Sequence, residues 1–77
     1  MKENKVFKTR DFYLACFLKA KDIKLIRTEK TGNIAIFHFE SRKIEDLITG
    51  FYNDQEIISA NKFINSIRDL KALVHNI

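Results

Sequence analysis

A chain of 77 residues that is 45% hydrophobic, with seven Phe and no Pro, reads as one folded domain and excludes disorder or low complexity as its main feature. A single cysteine excludes an internal disulfide, and Cys16 with only His38 and His75 is too small a set for a structural zinc site. The formal charge of +4 is unevenly placed: nine basic against four acidic residues over 1–30, two against five over 31–58, and three against one over 59–77.

Residues 1–8 show no periodicity beyond Val6 and Phe7, and are expected as a mobile basic start or a short extended segment, with one domain over 9–77. Thr9 is the expected N-cap of a first helix over 10–21, with Asp11 placing negative charge at the positive end of the helix dipole. Phe12, Tyr13, Leu14, Ala15, Cys16, Phe17, Leu18 and Ala20 cover most of its circumference, so this helix should be contacted from several sides. The apolar run 12–18 has seven residues, where a membrane span needs about 20. No signal-peptide layout opens the chain, and a cytoplasmic location is expected.

Residues 23–30 and 33–40 are rich in β-branched and aromatic side chains and flank Gly32, which predicts a β-hairpin. A type I turn at Lys30 and Thr31 with left-handed Gly32 would close it with a bulge. One face would then carry Ile23, Leu25, Ala35, Phe37 and Phe39, with Arg27 at its edge. The other would carry Lys24, Ile26, Thr28, Lys30, Ile34, Ile36 and His38. A two-residue loop would instead slip the first strand by one residue. On this reading Gly32→Ala costs roughly 1 kcal/mol, and Gly50→Ala is milder.

Ser41 is the expected cap of a second helix whose Ile44, Leu47, Ile48 and Phe51 share one face, ending near 50–53. Ser59 is the expected cap of a third, with Phe63, Ile67, Leu70 and Val74 in one stripe, running nearly to the end. The order α-β-β-α-α, with helices segregated from a hairpin, is α+β architecture.

The run Thr9-x-Asp11-Phe12-Tyr13-Leu14-Ala15-x-Phe17-Leu18-x-Ala20, the hairpin after it, and the late Phe63-Ile64-x-x-Ile67-Arg68-x-Leu70-Lys71 together resemble a family of short prokaryotic proteins classed as a domain of unknown function. The resemblance spans roughly residues 7–74, and its most specific part is the Asp-Phe-Tyr-Leu-Ala run. Members often carry Gly after the first helix, where this chain has Asp22, which also tolerates the left-handed conformation. The resemblance implies a whole domain and no catalytic residue.

No constellation for ordinary enzyme chemistry stands out. Cys16 lies mid-helix among apolar residues, where a free cysteine behaves as a small buried hydrophobe. His38 and His75 suggest no acid/base pair by spacing. Glu45 with Asp46, and Asp54 with Glu56, read as solvated acids. No phosphate-cradling glycine motif exists, and no cofactor or metal is expected. Two non-catalytic functions follow. In the first, a small accessory protein associates with nucleic acid, DNA or RNA unresolved, through Lys8, Arg10, Lys24, Thr28 and Lys30. In the second, Ile26, Ile34 and Ile36 form an apolar face that joins a second copy, as a homodimer, or docks on a larger protein.

Overall fold

A computed structural model describes residues 6–41 and 44–77. The elements are β1 (Val6–Thr9), α1 (Phe12–Ala20), β2 (Leu25–Thr31), β3 (Ile34–Glu40), α2 (Glu45–Tyr52) and α3 (Ala60–His75). They form an α+β domain in which a three-stranded antiparallel sheet, ordered β1-β3-β2, carries the helices on one face. The hairpin and all three helices match the expectation from sequence. The addition is β1, which pairs along β3 from Val6↔Glu40 to Thr9↔Phe37 and makes β3 the central strand. The expected extended start thus joins the sheet from Val6 onward, and residues 1–5 lie outside the described residues.

The start of α1 corrects the predicted cap. Thr9 ends β1, and Asp11 is the N-cap, its Oδ1 accepting from the Tyr13 and Leu14 amides. The Thr9 hydroxyl accepts from the Asp11 amide instead, so the two polar residues hold the strand-to-helix corner in series. The helix stops at Lys21, and Asp22 takes a left-handed φ of 67°. The predicted cap of α2 is also corrected: Ile44 occupies that position and makes no side-chain cap bond. Ser41 stands three residues earlier, and Arg42 and Lys43 lie outside the described residues. Glu45 and Asp46 in the first turn of α2 offset its dipole instead. Ser59 caps α3 as expected, accepting from the Lys62 amide at 3.3 Å.

The hairpin register differs from the one predicted, and with it the two faces. Thr31 pairs with Ile34, leaving Gly32 and Asn33 as a two-residue loop. Gly32 has a φ of 61°, and Asn33 does not share the positive φ, the pattern of a type II′ turn. Lys30 therefore opposes Ala35, and Thr28 opposes Phe37. Left alone, that slip would also put Leu25 on the wrong face. An extra residue at Ile26, a β-bulge, restores it, so that Ile26 and Arg27 together oppose His38 and Leu25 opposes Phe39.

The inner face then carries Phe7, Thr9, Leu25, Thr28, Lys30, Ala35, Phe37 and Phe39. Phe37 and Phe39 are buried in one cluster with Leu14, Ala15, Cys16, Phe17, Leu18 and Leu70. Helix α1 lies against α3, α2 and β1, which is why its apolar residues run round most of its surface.

Candidate interaction surface

The opposite, outer face of the sheet is where side chains with functional potential gather. Alternation places Val6 and Lys8 of β1 there, with Arg27, Glu29 and Thr31 of β2 and Ile34, Ile36, His38 and Glu40 of β3. Ile26 stands in the bulge beside Arg27. Val6 is 42% exposed, and Ile26 and Ile34 are 44% exposed each. The three isoleucines singled out from sequence therefore stay together despite the changed register. Val6 joins them, which sequence reasoning missed because β1 carried no periodic signal.

At the centre of this face His38 is only 2% exposed. Its Nε2 lies 2.8 Å from Oε1 of Glu29. A carboxylate can only accept, so Nε2 carries the proton of this bond. Arg27 reaches the other oxygen of the same carboxylate at 3.3 Å. Glu29 is held below the ordinary carboxylate range, first by the His38 hydrogen bond and then by Arg27. Among the described residues, the charges on the face are Lys8, Lys24 and Arg27 against Glu29 and Glu40, with Lys24 placed opposite Glu40 by the bond from the Glu40 amide to its carbonyl.

The predicted nucleic-acid residues are divided between the two faces. Lys8 opposes His38 on the outer face, whereas Thr28 and Lys30 lie on the inner face. Arg10 is exposed in the link between β1 and α1, and exposed Lys24, just ahead of β2, stands opposite Glu40 and so shares the outer face with Lys8. The Thr28 hydroxyl is buried without a hydrogen-bond partner. Part of the basic front is bound up in local structure. Lys21 donates to the Ile57 carbonyl, pairs with Glu56 at 3.3 Å, and sits over the Phe17 ring. Lys19 pairs with Asp69 at 3.9 Å. Among the described residues, Lys8, Arg10, Lys24 and Lys30 have no ion-pair partner.

Where the hairpin meets the last turns of α3, an open groove of about 480 Å³ is lined by Phe12, Lys30, Lys71, Val74 and His75. A smaller cleft of about 150 Å³ lies between Phe17, Phe51, Ile58 and Phe63, with Asp54 and Glu56 at its rim. Cys16 is fully buried, and burial pushes its thiol up to about 11, so it is held as the unreactive thiol. The Tyr52 hydroxyl donates to Asp11 at 2.7 Å and is raised by that bond above the ordinary tyrosine value. Among the described residues, no three His, Cys, Asp or Glu side chains are grouped to hold a metal ion, and no helix is long and apolar enough to cross a membrane.

A family model described as a domain of unknown function (DUF5659) matches residues 4–76. No curated protein and no solved structure matches the chain.

Proposed function

The chain belongs to the DUF5659 family of domains of unknown function, and we propose from its own surface that it is a non-catalytic protein-contact module whose partner is a second copy of itself, joined through the outer face of the sheet. The observation that supports this most is the composition of that face. Exposed Val6, Ile26 and Ile34, with half-buried Ile36, sit among three cations and two acids of the described residues. Charges of both signs are interspersed on this face, and under a two-fold axis the cations of one copy meet the acids of the other.

The edges of the sheet favour face-to-face contact over strand addition. β1 is only four residues long, and β2 is bent by its bulge, preceded by exposed Lys24 and carries exposed Lys30 near its end. These are the devices that blunt an edge. A 77-residue chain without a disulfide also rarely has more than about 3–5 kcal/mol from its own core, so burial between copies supplements a small reserve. Binding of nucleic acid through the basic front fits the geometry less well, because Lys8 and Lys30 lie on opposite faces.

The expected association is weak. Completing the burial of a half-exposed aliphatic side chain contributes about 1 kcal/mol, so four per copy give about 8 kcal/mol before the cost of association, which is at least about 4 kcal/mol. At most about 4 kcal/mol is left, a dissociation constant of about a millimolar or weaker. Equilibrium sedimentation extended to about a millimolar and above should show a dimer fraction that Ile34→Glu and Ile26→Glu abolish, with far-UV circular dichroism unchanged. Lys30→Glu, on the inner face of the sheet, should leave it intact. A monomer mass at the highest concentration, or a dimer indifferent to both isoleucine variants, refutes the reading.

A further inference from the structure

The groove between the hairpin and the end of α3 has a different chemistry from the sheet face. We propose that it is a binding site for an organic phosphate carrying a flat ring, the chemistry of a nucleotide, whether free or at the phosphorylated end of a nucleic-acid strand. Three of its five lining side chains, Lys30, Lys71 and His75, are basic, and none is acidic. The other two, Phe12 and Val74, are apolar. Its volume of about 480 Å³ falls within the range of about 300–1,000 Å³ typical of small-molecule sites.

Sequence and register together make this arrangement. Lys71, Val74 and His75 stand at i, i+3 and i+4 on α3 and so share one side of that helix. Lys30 comes from the opposite wall because the two-residue loop turns it to the inner face, opposite Ala35. With the bulged turn expected from sequence it would have pointed away. Phe12 opens α1, and its ring is held edge-on to Tyr13 at 5.4 Å and lies 6.2 Å from Phe37. The apolar floor is thus fixed before any ligand arrives, and little ordering is left for binding to supply.

The basic groups are matched to a terminal phosphate more than to a planar carboxylate. Lysines act as mobile point charges, whereas bidentate recognition of a carboxylate is the strength of arginine. Neither lysine is tied up by an acid among the described residues. An aromatic floor accepts the face of any base, so the site should discriminate weakly between bases. The site shares no residue with the sheet face, and each proposal stands or falls without the other.

The test is a two-dimensional NMR titration of the full chain at about 20 mM salt, where charge contacts are least screened, with three probes: AMP, a 5′-phosphorylated oligothymidylate, and inorganic phosphate. Shifts at Phe12, Lys30, Lys71, Val74 and His75 with AMP identify a free nucleotide as sufficient. The same shifts with the oligonucleotide alone identify a strand end. Lys71→Gln and Lys30→Gln should each weaken binding about threefold or more, and together about tenfold or more, while Lys8→Gln on the other face should have no effect. Glutamine removes the charge and keeps an unbranched stem with a polar tip at exposed positions, and the dispersion of the same spectra reports that each variant is folded. Inorganic phosphate binding as tightly as both organic probes overturns the proposal, since the ring would then contribute nothing. Shifts that survive the double variant, or no shift with any probe at about 10 mM, overturn it as well.

Discussion

Replacing Thr28 by valine should make the protein more stable, although it removes a hydroxyl. Thr28 stands on the inner face of the sheet opposite Phe37, and its Oγ1 is buried with no partner. A hydroxyl taken out of water without a replacement bond costs about 1–3 kcal/mol, and valine has nearly the same shape with a methyl in its place. Valine also suits a strand slightly better. The net gain should be about 1 kcal/mol, which for a domain of this size raises the melting temperature by about 4–8 °C. In urea it raises the midpoint by roughly 0.5–1 M at an m-value of about 1–2 kcal/mol/M. Circular dichroism at the same protein concentration for both chains measures either quantity and keeps any dimer contribution constant. Thr28→Ser keeps the hydroxyl and loses one methyl, so it should cost about 1 kcal/mol. A midpoint that falls in the valine variant means that the hydroxyl has a partner, such as a bound water, and refutes the reasoning.

The two glycines should respond in the order opposite to the one expected from sequence. A Cβ on Gly32 meets nothing within 4 Å, so only the positive φ is penalised, by about 1 kcal/mol. A Cβ on Gly50 would come within 2.6 Å of Oε2 and 2.8 Å of Cγ of Glu56. Displacing Glu56 also breaks its pair with Lys21, so Gly50→Ala should cost about 1–3 kcal/mol; a urea midpoint for Gly50→Ala at or above that of Gly32→Ala would contradict this. Glu29 adds an acid-side dependence. Its folded-state value lies below the ordinary carboxylate value of 4.5, so the stabilisation is present above that pH and is lost as pH falls through the lower folded value. Glu29→Gln should abolish this part of the decline when urea midpoints are compared between about pH 6 and 2.5, and parallel curves for the two proteins would show that the His38 and Arg27 contacts do not stabilise the ionised carboxylate.

What was legible in the sequence depended on how many residues carried each signal. Helix α3 repeats its apolar stripe over four turns and opens on Ser59, so its limits could be read closely. Helix α1 was legible as a central element because nearly every residue from Phe12 to Ala20 is apolar, but its cap was not, since Thr9 and Asp11 are both good caps two residues apart. Only pairing with β3 decides that Thr9 belongs to a strand. Gly32 announced a left-handed turn residue, yet Lys30-Thr31-Gly32 and Gly32-Asn33 are both workable turns that differ by one residue in register. That ambiguity moved Thr28 and Lys30 to the other face. The bulge at Ile26, which keeps Leu25 on Phe39, has no local sequence mark, because its cause is the fit of the whole sheet to the helices. The candidate surface shows the same division. Ile26, Ile34 and Ile36 were found from alternation, whereas the groove brings together residues from both ends of the described chain, and no local pattern encodes that meeting.

The short first strand has a consequence for the solution behaviour of the chain. The segment Ile-Ala-Ile-Phe-His-Phe that makes up most of β3 has high β-propensity and no formal charge apart from its histidine, the profile of segments that stack into fibrils when exposed on an edge. On the side away from β2, its second half is covered by the four residues Val6–Thr9, which pair with Phe37–Glu40. Their hydrogen bonds are few, and strand ends open locally at little free-energy cost. β1 therefore acts as a guard on the central strand, and the tendency to aggregate is governed by how often those four residues let go, a frequency that global unfolding measurements do not report.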